Sequence, residues 1–122
     1  MTVVAVALAA SLGAIARYLI DLVVQHRTAT VRPLGTLTVN LTGSLALGLL
    51  VGFELYHGLG DAVRSVIGTG LIGAYTTFST FSYETMRLLA DGDNRGALVN
   101  IATNLFGGLT AATVGLCLAA AW

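Results

Sequence analysis

Four apolar stretches separated by short polar linkers limit what this chain can fold into. They lie near residues 2–24, 35–55, 62–87 and 96–121. Each is about 20 residues long, the length at which an α-helix crosses the hydrocarbon core of a bilayer. Because the linkers are short, neighbouring helices must run antiparallel within a single domain, residues 1–122. We therefore predict an all-α integral membrane protein with four transmembrane helices.

The composition supports a membrane protein and argues against other classes. The chain is 56% hydrophobic and 10% charged, and its mean hydropathy of +0.85 is higher than in ordinary soluble domains. All six basic residues are arginines and the net charge is zero, so we expect no nucleic-acid partner. Cys117 is alone in an apolar run, which leaves no basis for a disulfide or a thiolate metal site.

The third apolar stretch contains a polar segment, residues 73–84, in which most side chains carry a hydroxyl or a carboxylate. A bilayer offers such groups no water, so each needs a partner or a pathway. Gly68, Gly70 and Gly73 precede Thr76 and Thr77, and this combination predicts a helix broken at mid-membrane. The carbonyls that a break frees persist when they are buried in protein, face a water-filled cavity or coordinate an ion.

Uncharged polar residues recur at helical spacing in the second, third and fourth helices. The second helix has Thr36, Asn40 and Ser44, the third has Thr76 and Thr80, and the fourth has Asn100 and Asn104. In the third helix the carboxylate residue Glu84 follows one turn after Thr80. Donors without fixed charge suit a small hydrated anion that must lose its water and still leave quickly. The competing interpretation is interhelical hydrogen bonding, worth roughly 0.6 kcal/mol per residue. For Asn40 the two interpretations are equally supported.

Two further pairs admit both a structural and a functional interpretation. Phe78 and Phe81 share one helix face, where they either contact lipid or present their positively polarised edges to a passing ion. Arg17 and Asp21 lie one turn apart, where they either form an anchoring ion pair or leave Arg17 to attract anions into a vestibule.

Four helices of this length barely enclose a pathway, so we expect a dimer. Faces of small residues on the second helix, such as Gly48 and Gly52, are suited to close helix packing. If two copies of the third helix met at a two-fold axis, the freed carbonyls would converge. A buried Na⁺ is a suitable occupant of that point.

The sequence resembles the Fluc or CrcB family of small bacterial fluoride channels over nearly its full length. The resemblance rests on residues 13–18, 35–43 and 70–84. Its most specific part is the run Thr-Thr-Phe-Ser-Thr-Phe-Ser at residues 76–82. The resemblance implies an antiparallel dual-topology dimer in the bacterial inner (plasma) membrane that passively exports cytoplasmic fluoride, with no catalysis.

The resemblance also implies roles for individual residues. A structural Na⁺, not transported, would be held at the dimer centre by the backbone carbonyls of Gly73 and Thr76. The fluoride pathway would be lined by Asn40, Phe78, Thr80, Phe81 and Asn104, and Arg17 would be the vestibule arginine. The chain departs from the family pattern at Ala74, where a second glycine is frequent, and at Gly108, where relatives can carry serine.

The arginines are distributed unevenly along the predicted topology. Leaving out Arg17, the first and third linkers with their flanks contain Arg27, Arg32, Arg87 and Arg95, and the opposite side contains only Arg64. Because arginine-rich segments stay cytoplasmic, this bias predicts one preferred orientation with both termini outside. The partner is then an oppositely inserted paralogue in a heterodimer, whereas a homodimer requires dual insertion of one sequence.

Two other functions were weighed against a fluoride channel. A four-helix multidrug-type exporter depends on a membrane-embedded carboxylate in its first helix, and Asp21 fits poorly because it lies beside Arg17 near a charged end. A non-transporting assembly subunit would account for the small-residue faces as packing surfaces, but it would not explain the Thr-Phe-Ser-Thr-Phe run. An enzyme is not expected, because no nucleophile, base and orienting group occur together.

Overall fold

The computed structural model describes residues 2–28 and 33–122, and its secondary structure is helical throughout. The helices are α1 (Thr2–Thr28), α2 (Leu34–His57), α3 (Asp61–Val63), a π-helix (Arg64–Ile72), α4 (Gly73–Tyr75), α5 (Phe78–Ala90) and α6 (Asn94–Ala120). These described ranges contain no β-strand, which confirms the all-α prediction. Arg32, one of the arginines used above, lies outside the described residues.

Three helices, α1, α2 and α6, are long and apolar enough to cross a membrane. Each starts or ends a few residues beyond the apolar span predicted for it, because polar residues at the membrane interface continue the helix. The third predicted span contains two helical parts. One runs continuously through α3, the π-helix and α4, and the other is α5.

Local signals explain where the helices end. At the end of α2, Gly58 takes a left-handed conformation (φ 71°) that favours glycine, and its N–H donates to Glu54 O. Gly92, between α5 and α6, also takes a left-handed conformation, with φ 81°. Asp93 begins α6 by accepting a hydrogen bond from the Gly96 N–H at 2.8 Å.

Close approach of α2 to α6 organises the bundle. A Cβ on Gly48 would overlap the carbonyl of Ala112, and one on Gly115 would overlap the carbonyl of Leu45. The two backbones therefore lie in direct contact, as small-residue faces predict for membrane helices. Elsewhere in the bundle α1 packs against the π-helix, where a Cβ on Gly70 would lie 2.8 Å from Val6 O.

The fold buries few large side chains. Val39 is fully buried, whereas most large apolar residues of α1 and α6 point outward, for example Val3 (81% exposed) and Phe106 (65% exposed). An outward apolar surface on helices of this length is expected of a protein solvated by lipid or covered by a partner.

Candidate anion pathway at an interrupted helix

The helical hydrogen-bond pattern is interrupted at Thr76 and Thr77. Both residues are extended, Thr76 with φ −77° and ψ 159° and Thr77 with φ −147° and ψ 121°. The N–H of Thr77 donates to Asn40 Oδ1 at 2.9 Å and not to Gly73 O, the helical acceptor four residues earlier. The N–H of Thr80 donates to Thr77 Oγ1 at 3.2 Å and not to Thr76 O. The carbonyls of Gly73 and Thr76 thus lack their usual helical donors.

Asn40 holds this interruption from the neighbouring helix α2. Its carboxamide accepts from the Thr77 N–H and donates through Nδ2 to Thr77 O at 3.1 Å, so it pairs with both backbone groups of one residue. A second donation from Nδ2 reaches Asn104 Oδ1 at 3.0 Å. Both N–H groups that sequence analysis offered to an anion are therefore engaged.

The polar network continues through α6. Asn104 Nδ2 donates to Asn100 O at 3.0 Å and to Asn100 Oδ1 at 3.1 Å. Asn100 is 6% exposed and donates through Nδ2 to Thr85 Oγ1 at 2.9 Å. The asparagines of the two polar stripes therefore form one continuous chain that starts at Thr77.

Arg17 lies beside the interruption. Its Nη1 approaches Thr76 O at 3.5 Å, a long contact between a guanidinium and a carbonyl that has no helical donor. Asp21, the partner considered for Arg17 in sequence analysis, instead accepts from Gln25 Nε2 at 3.0 Å on each oxygen. The charge of Arg17 is consequently directed toward Thr76.

The predicted site residues line two cavities. One, of about 500 Å³, is open to the outside of the bundle, and its walls include Asn40, Gly73, Thr76, Phe78, Phe81 and Asn104. The other, of about 170 Å³, contains Arg17 and Thr80, together with Tyr18, Asp21 and Thr36. Thr77 lines both, so it forms part of the wall between them.

The two phenylalanines stand together at the larger cavity. Their ring centroids are 5.7 Å apart with the planes tilted by 52°. Phe78, the first residue of α5, is 80% exposed. A ring in this position is available to a second protein chain or to a ligand in the cavity.

Glu84 belongs to the same region but faces α2. Its Oε1 accepts a hydrogen bond from Thr36 Oγ1 at 2.7 Å, and its buried Oε2 has no hydrogen-bond partner among the residues that the structure describes. Gly108, noted above as a departure, faces Ser44, and a Cβ there would lie 3.4 Å from Ser44 Oγ. Space for a small side chain therefore exists at that position.

Two residues have roles that sequence analysis did not assign: Thr77, which it named only as part of the predicted break, and Thr85. Thr77 caps α5 through Oγ1 and binds Asn40 through its backbone. A sequence signal for the capping role exists, because threonine is a preferred residue immediately before a helix, where its side chain accepts from the backbone N–H three residues later. Thr85 anchors Asn100 from α5, and no local pattern marks that role.

A metal ion here would depend on oxygen atoms of the backbone. Within the described ranges no three His, Cys, Asp or Glu side chains converge. The carbonyls of Gly73 and Thr76 fit a hard cation in chemical type, because both have lost their helical donors and hard cations take oxygen ligands. Other transport proteins coordinate Na⁺ with unwound backbone of this kind.

Comparison with known proteins identifies the family. The model of the family described as "CrcB-like protein, Camphor Resistance (CrcB)" matches residues 4–116. The chain belongs to the CrcB family. The resemblance inferred from the motif at residues 76–82 is thereby confirmed, and with three membrane-length helices the chain is a multi-pass membrane protein of that family.

Curated CrcB relatives share nearly half of their residues with this chain. "Fluoride-specific ion channel FluC 1" of Leifsonia xyli is 47% identical over 118 residues, covering 97% of this chain and 86% of the relative. "Fluoride-specific ion channel FluC 1" of Frankia casuarinae is 47% identical over 120 residues, covering 92% and 91%. "Fluoride-specific ion channel FluC 2" of Mycobacterium tuberculosis is 45% identical over 112 residues, covering 92% and 86%. These names do not support the exporter or assembly-subunit alternatives.

Proposed function

We propose that this CrcB-family chain forms a fluoride-selective channel that passively exports cytoplasmic fluoride across the bacterial plasma membrane. The proposal rests chiefly on one observation, the interruption at Thr76 and Thr77 held by Asn40 beside a cavity that contains Phe78 and Phe81. The names of the relatives agree with it. Fluoride that has entered as neutral HF ionises in the cytoplasm and leaves through this path.

The chemistry of the larger cavity suits a small anion. Asn40 carries an N–H group without a fixed positive charge that is bound to a side-chain oxygen, Asn104 Oδ1, so an anion that takes the place of this oxygen is solvated without being trapped. The aromatic hydrogens of Phe78 and Phe81 carry partial positive charge at the ring edges. Thr80 and Arg17, in the smaller cavity, would form the approach to the path, where Arg17 raises the local anion concentration.

We further propose that two chains assemble as an antiparallel dimer through the face that carries the larger cavity. The interruption then lies at mid-membrane on the two-fold axis, and each chain contributes the carbonyls of Gly73 and Thr76. These carbonyls would hold a structural Na⁺, which supplies positive charge at the centre of the dimer. The already long contact of Arg17 with Thr76 O would then lengthen further, because the guanidinium and the Na⁺ repel each other as like charges.

Fluoride efflux from liposomes containing only this purified chain tests the channel. Efflux is read with a fluoride electrode, and chloride efflux measures selectivity. We expect fast release of fluoride and not of chloride, and a loss of fluoride release in Phe78→Ile. Phe106→Ile is the matched control, because Phe106 is also exposed (65%) but lies on α6 outside both cavities.

Equal release of chloride and fluoride contradicts the proposed selectivity. If the chain alone releases neither ion, a candidate paralogue is added to the same liposomes. Fluoride release that appears only with the paralogue shows an obligate heterodimer. Absence of fluoride release with the paralogue present contradicts the proposal.

A further inference from the structure

A chain of carboxamides leads from the interior of α6 to the interruption. Asn100 donates to Thr85 at 2.9 Å, Asn104 donates to Asn100 Oδ1 at 3.1 Å, and Asn40 donates to Asn104 Oδ1 at 3.0 Å. Asn40 in turn donates to Thr77 O at 3.1 Å. The three bonds from Asn40 through Asn104 and Asn100 to Thr85 run in the same direction, so each carboxamide donates to the next group, and Asn40 also donates at the other end to Thr77 O.

The orientation of Asn104 is determined by Asn100. The Asn104 amide nitrogen has two acceptors on Asn100, the backbone oxygen and Oδ1. A flipped carboxamide would place oxygen against oxygen at Asn100 and nitrogen against nitrogen at Asn40. Asn100 is itself oriented by Thr85 in a buried setting, where an unmade hydrogen bond is costly.

The two N–H groups of Asn40 are not equivalent. One is bound to Thr77 O, and together with the Thr77 N–H bond it holds the interruption. The other is bound to a side-chain oxygen, Asn104 Oδ1, and both asparagines line the cavity of about 500 Å³ that is open to the outside. An ion in that cavity can replace the second bond without disturbing the backbone.

We propose that Asn104 Oδ1 is a resident acceptor that occupies the place of the anion on Asn40, and that Asn100 is the positioning residue that keeps it there. This inference rests on the proposed fluoride pathway and assigns a new role within it. The arriving anion displaces an amide oxygen instead of filling an empty position. Exchange of one acceptor for another keeps the anion weakly bound, as conduction requires.

A double-mutant cycle on fluoride flux in liposomes tests the proposal. The half-saturating fluoride concentration and the maximal flux are measured for wild type, Asn104→Leu, Asn100→Leu and the double variant. Removing the competing acceptor should lower the half-saturating concentration in Asn104→Leu by roughly fivefold, the equivalent of one net hydrogen bond. Asn100→Leu should give part of that decrease, and none once residue 104 is leucine.

Thr85 provides a second test that leaves all three asparagines intact. Thr85→Val removes the acceptor of Asn100, whereas Thr85→Ser keeps the hydroxyl. We expect a lowered half-saturating concentration in the valine variant and the wild-type value in the serine variant. If Asn100→Leu does not fold, the comparison of these two Thr85 variants tests whether Asn100 positions Asn104.

Three results would overturn the inference while leaving the channel itself intact. They are a higher half-saturating concentration in Asn104→Leu, additive effects of the two leucine substitutions, and equal values for Thr85→Val and Thr85→Ser. Absence of fluoride flux from the wild-type protein, alone and with a paralogue, would instead refute the proposed function on which the inference depends.

Discussion

Asn40 shows how one side chain can replace a stretch of backbone hydrogen bonding. Its carboxamide presents a C=O and an N–H side by side, and it pairs with both backbone groups of Thr77. An extended residue inside an otherwise helical run would leave both groups unsatisfied, at a cost of several kcal/mol each in hydrocarbon. Asn40 therefore has a structural role even where no ion is bound. This role agrees with the interhelical hydrogen bonding considered for it in sequence analysis, and solvation of an anion stays a prediction.

Asn40→Asp should reduce both stability and fluoride flux. The carboxylate still accepts from the Thr77 N–H, but it faces the oxygens of Thr77 and Asn104 where it previously donated. Each lost donor leaves a cost of about 1–3 kcal/mol. We expect at least a roughly tenfold lower flux in liposomes and a lower unfolding temperature in detergent.

The matched control for that substitution is Asn94→Asp. Asn94 is an exposed residue at the start of α6, where a negative charge is favourable. Flux and unfolding temperature should stay at the wild-type values. An unchanged flux in Asn40→Asp would show that the pairing with Thr77 is dispensable.

At the scale of elements, the interruption between α4 and α5 depends on a capping residue. Thr77 Oγ1 accepts from the Thr80 N–H at 3.2 Å and lies 2.9 Å from Thr80 Oγ1. It thereby begins α5 at Phe78 and directs the helix away from Thr76. The π-helix before it ends with the Gly73 N–H donating to Gly68 O and Gly70 O. The segment thus leaves α-helical geometry before the interruption itself, as π-helical turns at functional sites often do.

Thr77→Val should destabilise the protein by about 1 kcal/mol through loss of this cap. Thermal unfolding in detergent measures the change, and Thr77→Ser is the control that keeps the hydroxyl. Since the backbone pairing with Asn40 does not involve the side chain of Thr77, the valine variant should remain folded. Equal stability of the valine and serine variants would contradict a capping role.

The contact of α2 with α6 supplies a second prediction at this scale. Gly48→Ala places a methyl group against the carbonyl of Ala112 and should cost about 1–3 kcal/mol because the backbones must separate. Gly60→Ala is the control, since nothing lies within 4 Å of a Cβ there. Unfolding temperatures in detergent compare the two variants, and equal values would show that α2 and α6 are not in tight contact.

At the scale of the whole molecule, the described arginines other than Arg17 separate onto two ends of the bundle. Arg27, Arg87 and Arg95 lie at the end where α1 and α5 finish and α6 begins. Arg64 lies at the opposite end, where its Nη1 pairs with Glu54 Oε1 at 3.1 Å. The bias inferred from the sequence thus becomes a difference between two surfaces, one of which is partly neutralised by a carboxylate.

This bias predicts one preferred orientation, with both termini outside. A cysteine at Thr2 in a Cys117→Ser background should react with a membrane-impermeant thiol reagent added to intact cells. The substitution Asn94→Cys, at an exposed position at the start of α6 that leaves all the arginines in place, should be protected from the same reagent until the membrane is permeabilised. Equal labelling of both positions in intact cells would instead indicate dual insertion and a homodimer.

The sequence by itself determined the membrane class, the helical content and the family. Hydropathy and span length report directly on bilayer thickness, which acts on each segment independently, and residues 76–82 are distinctive as a contiguous run. The single four-helix domain, the dual-topology dimer and the roles of Gly73, Thr76, Arg17 and the pathway residues stay predictions. The sequence also identified the polar stripes, because helical spacing alone places their members on one face.

Only the tertiary structure decided how the polar residues pair. Asn40 forms hydrogen bonds with Thr77, 37 residues away in the sequence, and with Asn104, 64 residues away. Arg17 contacts Thr76 O and not Asp21, the partner that sequence spacing offered. These partners depend on the rotation of each helix about its axis and on how closely glycine faces let the helices approach. Rotation and approach are set by the packing of the whole bundle, so a single stretch of sequence contains no information on them.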